Sequence, residues 1–258
     1  MRILAIGDVS GNCGVEAIEK MLRPLKTEYD ADIVIVNGEN SSERNGIDKS
    51  SAERLFNAGA DVLTGGNHSM RNKEIYSYMD DNQRLLRPIN FGNACAGSGH
   101  VIIDTAFGRL LVICAAGQIY MDPADSPFAA VDKLLDSEKG KYDVAIADIH
   151  AEATSEKEAF ARYFDGRIQV VFGTHTHVQT SNEKILQNGC GFITDIGMCG
   201  AADSILGVKS EAVIGRMVNR TPERFLMADG EARIDGALFV VDAKLNRTVK
   251  IERFSRLC

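Results

Sequence analysis

The chain has 258 residues, of which 45% are hydrophobic and 25% are charged, an ordinary balance for a globular protein. The formal net charge of −7 argues against general attraction to nucleic acid or to anionic membranes. No apolar run is long enough to cross a bilayer.

The N-terminus and the cysteines bear on where the protein is found. Residues 1–9 lead directly into a glycine-rich turn, which indicates a strand rather than a signal peptide. None of the six cysteines forms a C-x-x-C pair, and a chain of this size needs no disulfide framework. We therefore expect a cytoplasmic protein with no membrane partner and no strong binding to nucleic acid.

Strand and helix patterns alternate regularly along the first eighty residues. Continuous apolar runs predict strands at residues 2–6, 32–36 and 61–64. Helical spacing of apolar residues predicts helices at 15–25, 49–57 and 73–79. This alternation predicts an α/β layer structure with a largely parallel sheet.

The remainder of the chain is less regular. Its predicted elements are a hairpin of strands 100–105 and 110–115, a helix at 127–135, a strand at 142–147, a helix opened by a Ser155-x-x-Glu158 capping box, a strand at 168–172, a hairpin of strands 184–186 and 190–194, a helix at 211–218 and a final hairpin of strands 233–241 and 248–254. No repeat, low-complexity tract or linker interrupts the pattern, so we predict a single domain spanning residues 1–258.

Polar side chains of kinds that bind metals follow five of the predicted strands. They are Asp8, Glu39, Asn40, Asn67, His68, His150, His175 and His177. In open α/β sheets, ligands bind beyond the carboxyl ends of the strands. We therefore expect these turns to converge, although they are far apart in the sequence.

The most concentrated of these turns is Gly173-Thr174-His175-Thr176-His177. In extended backbone, residues i and i+2 project to the same side, and Gly173 would permit a sharp turn after the strand. Two neutral imidazoles aimed at one point suit a transition metal. A pair of surface histidines in a turn is the alternative reading of this motif taken alone.

The set of candidate ligands is large enough for two ions, especially if one carboxylate bridges them. Mixed oxygen and nitrogen donors favour iron, manganese or zinc over calcium. If both ions are divalent, Asp8 and Glu39 cancel about half of their positive charge, and the remainder attracts a phosphate.

Six strings of residues occur in an order that is typical of one enzyme superfamily. They are Gly7-Asp8-Val9, Asn37-Gly38-Glu39-Asn40, Gly66-Asn67-His68, the string from His150 to Lys157, the string from Gly173 to Thr180, and Thr194-Asp195-Ile196-Gly197-Met198. Together they resemble the calcineurin-like metallophosphoesterases. Ser10 replaces a histidine of the general pattern, and Glu39-Asn40 replaces an aspartate. Both departures are shared with the bacterial YmdB-type phosphodiesterases, which the chain resembles along essentially its whole length.

This resemblance implies a four-layer α-β-β-α sandwich with two mixed sheets and cleavage of 2′,3′-cyclic nucleotides to nucleoside monophosphates. It also implies a dinuclear centre. One metal would bind Asp8, Glu39, Asn40 and His177, and the other would bind Glu39, Asn67, His150 and His175. Glu39 would bridge the two ions. We expect iron, with manganese or zinc as alternatives.

In the expected reaction, a water that bridges the two ions attacks phosphorus in line. His68 has no assigned metal and is expected to protonate the leaving ribose oxygen, the alternative being a packed or solvent-facing histidine. Asn12, Thr154 and Asp195 are expected to support the ligands. A small cyclic nucleotide is the expected partner, and a homo-oligomer is the expected assembly.

Three other functions have some support in the sequence. A dinucleotide-binding enzyme is disfavoured because the spacing of Gly7, Gly11 and Gly14 is wrong and Asp8 would face the pyrophosphate. A broader phosphatase or a nuclease could use the same metal centre. A metal-binding regulatory protein is the third, although structural metal sites are usually closed and built from cysteine and histidine.

Overall fold

The computed structural model describes residues 1–258 and contains thirteen strands and six helices. In chain order these are β1 (Arg2–Ile6), β2 (Asp8–Val9), α1 (Gly11–Glu28), β3 (Ile33–Asn37), α2 (Lys49–Ala58), β4 (Val62–Thr64), α3 (Ile75–Asp81), β5 (His100–Thr105), β6 (Gly108–Ala116), α4 (Pro127–Ser137), β7 (Val144–His150), α5 (Thr154–Tyr163), β8 (Val170–Thr174), β9 (Lys184–Ile185), β10 (Gly191–Ile193), β11 (Met198–Ala201), α6 (Ser210–Asn219), β12 (Ala232–Asp242) and β13 (Arg247–Leu257). None of the helices has both the length and the apolar character needed to span a bilayer.

The strands form two mixed sheets. The first has seven strands in the order β2-β11-β12-β1-β3-β4, with β13 paired to β12, and the second has six in the order β5-β6-β7-β8-β10-β9. In the first sheet, β1 is parallel to β3 but antiparallel to β12. The prediction of a largely parallel sheet from the N-terminal alternation is therefore wrong. Strand β12, from the C-terminal part of the chain, lies between β1 and β11 and is antiparallel to both.

Three hydrophobic clusters separate four layers. Alternate residues of β1 point to opposite faces, so that Leu4 packs with helices α1 and α2 whereas Ile3 faces the second sheet. Phe172 of β8 meets the first sheet in the central cluster. On the outer face of the second sheet, Val171 packs against Phe160 of α5. This arrangement is the predicted α-β-β-α sandwich.

The local predictions had mixed outcomes. The three predicted hairpins are antiparallel pairs, formed by β5 and β6, by β9 and β10, and by β12 and β13. The prediction of a capping box at Ser155 is wrong. Helix α5 begins at Thr154, after Ala153, and no side chain caps it. Two buried side chains near its start, Glu156 and Lys157, instead bind groups outside the helix.

Candidate metal centre

The predicted site residues meet where strands of the two sheets end. Asp8 lies in β2, and the turns after β3 and β4 carry the residues at positions 39, 40, 67 and 68. From the second sheet, His150 ends β7, and the turn after β8 carries the other two histidines. All of the predicted site residues are brought together, and each sheet contributes part of the cluster.

Glu39 lies at the centre of this cluster and is fully buried. Its Oε2 lies 2.9 Å from His150 Nε2, and its Oε1 lies 3.0 Å from His68 Nδ1. On the His150 side, Asn67 Oδ1 and His175 Nδ1 each lie 3.1 Å from His150 Nε2. The carboxylate of Glu39 thus stands between two groups of potential ligands.

The second group gathers around Asn40. Its Oδ1 lies 2.8 Å from His68 Nδ1, and its Nδ2 lies 3.3 Å from His177 Nε2. His177 Nε2 is in turn 4.0 Å from Asp8 Oδ2. Asp8 and His177 therefore share one side of the cluster.

The turn that carries His175 and His177 differs from the predicted one. Strand β8 continues to Thr174, and both histidines have left-handed backbone, with φ of 96° and 62° respectively. Gly173 is needed for close packing instead, because a Cβ there would collide with the carbonyl oxygen of Thr194. The prediction that extended backbone would direct both imidazoles to one side is therefore wrong. The two rings converge through left-handed backbone, which is uncommon for residues other than glycine.

Backbone contacts hold this turn in place. Asp195 Oδ2 accepts hydrogen bonds from Thr176 N at 3.1 Å and from Thr176 Oγ1 at 2.8 Å, and Asp8 Oδ2 accepts one from His175 N at 2.8 Å. Lys157 Nζ donates to Asp195 Oδ2 at 2.8 Å, and both side chains of this ion pair are fully buried. Such contacts can stabilise a conformation that would be strained in isolation.

Of the three predicted supporting residues, only Asp195 contacts the site. The side chain of Asn12 binds Arg54 and Glu16 on helical surfaces instead, because these partners lie within reach on α1 and α2. Thr154 is exposed at the first position of α5, where its side chain contacts none of the ligands. Both of these expectations are wrong.

Hydrogen bonds orient two of the imidazoles, those of His150 and His177. Thr174 Oγ1 donates to Asp148 Oδ1 at 2.7 Å, so it must accept the hydrogen bond from His150 Nδ1 at 2.9 Å. His177 Nδ1 likewise donates to the carbonyl oxygen of Leu206 at 3.0 Å. Each ring therefore directs its Nε2 towards the cluster, and this use of the second nitrogen is typical of metal-binding histidines.

Sequence reasoning missed several of these supporting residues. Asp148 also accepts hydrogen bonds from Thr64 Oγ1 at 2.6 Å and Asn37 Nδ2 at 2.9 Å, all within the protein interior. The available signal was the presence of polar residues in strands that are otherwise fully apolar. Lys157 gave no comparable signal, because its partner lies 38 residues away in the sequence.

The charged groups of the cluster shift one another's pKa values. Burial acts to lower the pKa of His150, but the adjacent Glu39 carboxylate outweighs this effect and raises that pKa to about 9. Burial acts to raise the pKa of Glu39, but the nearby His150 charge dominates and holds it well below its usual value. Burial and the charge of His150 lower the pKa of His175 to about 3. Burial raises the pKa of Asp8, although His177 and His150 oppose this.

Within the cluster, three buried carboxylate oxygens lack any hydrogen-bond donor of suitable geometry. They are Oδ1 of Asp8 and both carboxylate oxygens of Glu39. Burying such atoms unpaired is costly, so an oxygen-binding cation is the missing partner that their positions fit. Ligand atoms of Glu39, His150 and His175 lie within 4.8 Å of one another, as required to bind one ion together. The donor set fits a transition metal.

Ser10, which stands where the general pattern has a histidine, is buried and closely packed. Its backbone nitrogen donates to the Cys199 carbonyl at 2.8 Å, and its Oγ lies 3.9 Å from Met227 Sδ. A Cβ on Gly207 would collide with Ser10 Oγ, which shows how closely the adjacent loop packs against it. The same loop supplies the Leu206 carbonyl that orients His177.

Comparisons with known proteins identify the family of the chain. The family model described as YmdB-like protein matches residues 4–254. The 2′,3′-cyclic-nucleotide 2′-phosphodiesterase of Bacillus subtilis (strain 168) is 40% identical over 98% of this chain and 96% of its own length. Both the match to the family model and this identity extend over nearly the whole chain.

Two crystal structures have closely similar folds. One is a hypothetical protein from Thermus thermophilus, with a TM-score of 0.93 and 38% identity over 100% of this chain and 99% of that one. The other is described as a novel phosphatase from Mycoplasma pneumoniae, with a TM-score of 0.93 and 32% identity over 100% of this chain and 93% of that one. The fold is that of the metallophosphoesterases, and the chain belongs to the YmdB-like protein family.

Proposed function

We propose that the chain hydrolyses 2′,3′-cyclic nucleotides to nucleoside monophosphates at a centre that holds two metal ions. The observation that carries this proposal is the position of Glu39. Its carboxylate is fully buried, has no adequate donor, and lies between two groups of ligand atoms. The activity of the Bacillus subtilis relative supports a phosphodiester as the substrate.

The ligands divide into two sets. Asp8, Asn40 and His177 would hold one ion, and Asn67, His150 and His175 would hold the other. Glu39 would bridge them, because its Oε2 lies beside His150 and its Oε1 lies on the opposite side, next to the His68 ring that contacts Asn40. Iron is the metal that we expect, with manganese or zinc as alternatives.

The side chains suggest how the reaction proceeds. When bound, two such ions supply Lewis-acid polarisation of the phosphoryl oxygens and activation of water at neutral pH. Asp8, Glu39 and Asn67 fix the centre, and the buried relay from Asp148 through Thr174 orients His150. His68 directs Nδ1 towards Asn40 and Glu39, which leaves Nε2 free to act as an acid.

The bonds that change are few. The oxygen of a water molecule forms a bond to phosphorus, and one of the two phosphorus–ribose oxygen bonds of the cyclic diester breaks. His68 Nε2 gives a proton to the departing ribose oxygen, which becomes a hydroxyl group. The product is a nucleoside monophosphate, and a proton from the attacking water restores His68.

A substrate panel tests the proposal. The purified protein is assayed with 2′,3′-cyclic AMP, 3′,5′-cyclic AMP and AMP, before and after treatment with a strong chelator. We expect 2′,3′-cyclic AMP to be cleaved fastest, the activity to disappear with the chelator, and added iron or manganese to restore it. Full activity after complete metal removal would contradict the mechanism.

A broader phosphatase is the second candidate. It is favoured by the structural match to the Mycoplasma pneumoniae protein, which is described as a phosphatase. The same metal centre contacts only the phosphate group and does not itself distinguish esters from diesters. Similar rates on AMP and on 2′,3′-cyclic AMP would favour this candidate over the first.

A further inference from the structure

An open cleft adjoins the candidate metal centre. Its volume is about 530 Å³, within the range of small-molecule sites. Asn67 belongs both to this cleft and to the metal cluster. Gly117, which lines the cleft, donates its backbone N–H to the carbonyl oxygen of His150 at 2.9 Å. A ligand whose phosphate binds at the metal centre can therefore reach this cleft past Asn67.

The walls of the cleft are apolar and its charged groups are acidic. Met70, Phe91 and Met121 supply apolar surface, and no lysine or arginine lines the cleft. Two carboxylates, Asp122 and Asp125, are exposed there, and neither side chain makes a hydrogen bond or an ion pair with the protein. This chemistry suits a flat, uncharged ring that carries hydrogen-bond donors, and it disfavours a second phosphate.

The cleft is preorganised by buried contacts. The amide of Asn90 is buried and donates Nδ2 to the carbonyl oxygens of Ala116 and Asp125, both at 2.8 Å. Its Oδ1 accepts from the backbone N–H of Ala116 at 2.9 Å. These bonds join the segment that carries Phe91 to the segment that carries the two carboxylates, so the walls are fixed relative to each other.

We propose that this cleft binds the nucleobase of the substrate, an assignment that rests on the proposed cyclic-nucleotide activity. Phe91 and the methionines contact the faces of the base, and Asp122 and Asp125 accept hydrogen bonds from its exocyclic amino group. The substrates selected in this way are nucleoside 2′,3′-cyclic phosphates with amino-bearing bases. An additional 5′-phosphate, as in an oligonucleotide, is disfavoured because the cleft has no cation to pair with it.

Kinetics with and without a base test the assignment. The two substrates are 2′,3′-cyclic AMP and methyl ribofuranoside 2,3-cyclic phosphate, which lacks a base. Phe91→Ala should lower kcat/KM for the nucleotide about tenfold, mainly through KM, since one aromatic stacking contact is lost. It should leave the base-free substrate unchanged. Phe107→Ala, in the exposed β5–β6 turn, is the matched control.

A second variant fills the cleft without stressing the fold. Gly92 lines the cleft, its φ is not left-handed, and no atom lies within 4 Å of the position that a Cβ would take. The Gly92→Leu variant should therefore fold normally. Like Phe91→Ala, it should lower kcat/KM for the nucleotide and leave kcat/KM for the base-free substrate unchanged. Equal losses on both substrates, or no loss on either in both variants, would overturn the proposal.

Thiol protection provides a readout that needs neither metal nor turnover. Cys95 lines the cleft, and Cys258, at the C-terminus, is a reference thiol of similar partial burial. Adenosine should slow the alkylation of Cys95 by iodoacetamide and leave Cys258 unaffected, whereas ribose should protect neither. If adenosine protects Cys95 but the protein cleaves neither substrate, the proposed reaction is contradicted and the proposed base-binding cleft is still supported. Absence of protection by saturating adenosine would overturn the site.

Discussion

His68 differs from the other histidines of the cluster because only one of its ring nitrogens contacts the protein. Its Nδ1 lies 2.8 Å from Asn40 Oδ1, its Nε2 makes no hydrogen bond to the protein, and its side chain is 20% exposed. His150, by contrast, is fully buried and contacts polar groups through both nitrogens. A free and accessible nitrogen next to the candidate ligands is what a proton donor requires.

The acid role predicts an effect that depends on the leaving group. His68→Asn should lower kcat on 2′,3′-cyclic AMP by about 10²- to 10⁴-fold, because a ribose alkoxide leaves poorly without a proton. The loss should be much smaller with bis(p-nitrophenyl) phosphate, because p-nitrophenolate leaves unprotonated. Metal content should not change, and His100→Asn, at the start of β5, serves as the control. Equal losses on the two substrates would refute the acid role.

The candidate ligands could be predicted at the residue scale because each follows a strongly apolar strand. Asp195 was predicted as a supporting residue, but Asp148, Thr174 and Lys157 were not, because they act through contacts between segments that only the folded chain brings together. Their side chains are polar in buried positions, and a single sequence does not reveal which partners satisfy them.

The turn between β8 and β9 is the element on which the centre depends most. It supplies two histidines in left-handed conformations, and Asp195 holds its backbone from within the protein. The prediction of this element from sequence was right in its location and wrong in its geometry. Strand β8 could be read from its apolar run, but the backbone of His175 and His177 is determined by Asp195 and Asp8, which are distant in sequence.

Removal of Lys157 should damage both stability and metal binding. Lys157→Met leaves Asp195 buried without its cation and should lower the free energy of unfolding by about 3–5 kcal/mol. Denaturant unfolding and elemental analysis of the same sample measure the two effects. Arg109→Met, which breaks the exposed pair with Asp143, is the control and should leave the denaturant midpoint nearly unchanged, because solvent screens this pair.

A double variant separates the two effects of this ion pair. Lys157→Met with Asp195→Leu removes both charges and should recover part of the lost stability. Metal content should stay low, because the double variant has no Asp195 carboxylate to accept the hydrogen bonds from Thr176. Full recovery of metal content in the double variant would show that Asp195 does not position the turn.

The turn after β4 brings the backbone of Gly66 close to two candidate ligands, Glu39 and His150. A Cβ on Gly66 would collide with Glu39 Oε2 and with the His150 ring, so Gly66→Ala should displace both side chains. We expect bound metal per chain to fall below half of the wild-type value while the far-ultraviolet circular dichroism is retained. Gly92→Ala is the matched control, since its added methyl group meets no atom within 4 Å. Unchanged metal binding by Gly66→Ala would argue against Glu39 and His150 as ligands.

At the scale of the whole molecule, the candidate centre joins the two sheets. The turns after β3 and β4 belong to the first sheet, and the ends of β7 and β8 belong to the second. The sequence pattern predicted the helices and most strands, but the antiparallel insertion of β12 required contacts across more than 200 residues of sequence. The single-domain organisation, the cytoplasmic location and the homo-oligomeric assembly stay predictions.

Because the ligands span both sheets, bound metal should stabilise the entire fold. At a free metal concentration of 100 times Kd, the added stability is about 2.7 kcal/mol per site, which raises Tm by about 5–10 °C for a chain of this size. Calorimetry with and without chelator measures the shift. His150→Ala should abolish it, and a chelator-insensitive Tm in a metal-loaded wild-type sample would contradict the arrangement.

Anomalous X-ray scattering from crystals of the metal-loaded protein is the most direct test of the central claim, that residues from both sheets bind a pair of transition-metal ions. The account predicts two anomalous peaks, one on each side of the Glu39 carboxylate. One peak should contact His177 and Asp8, and the other should contact His150 and His175. A single peak, or peaks elsewhere in a protein that retains full phosphodiesterase activity, would contradict the account.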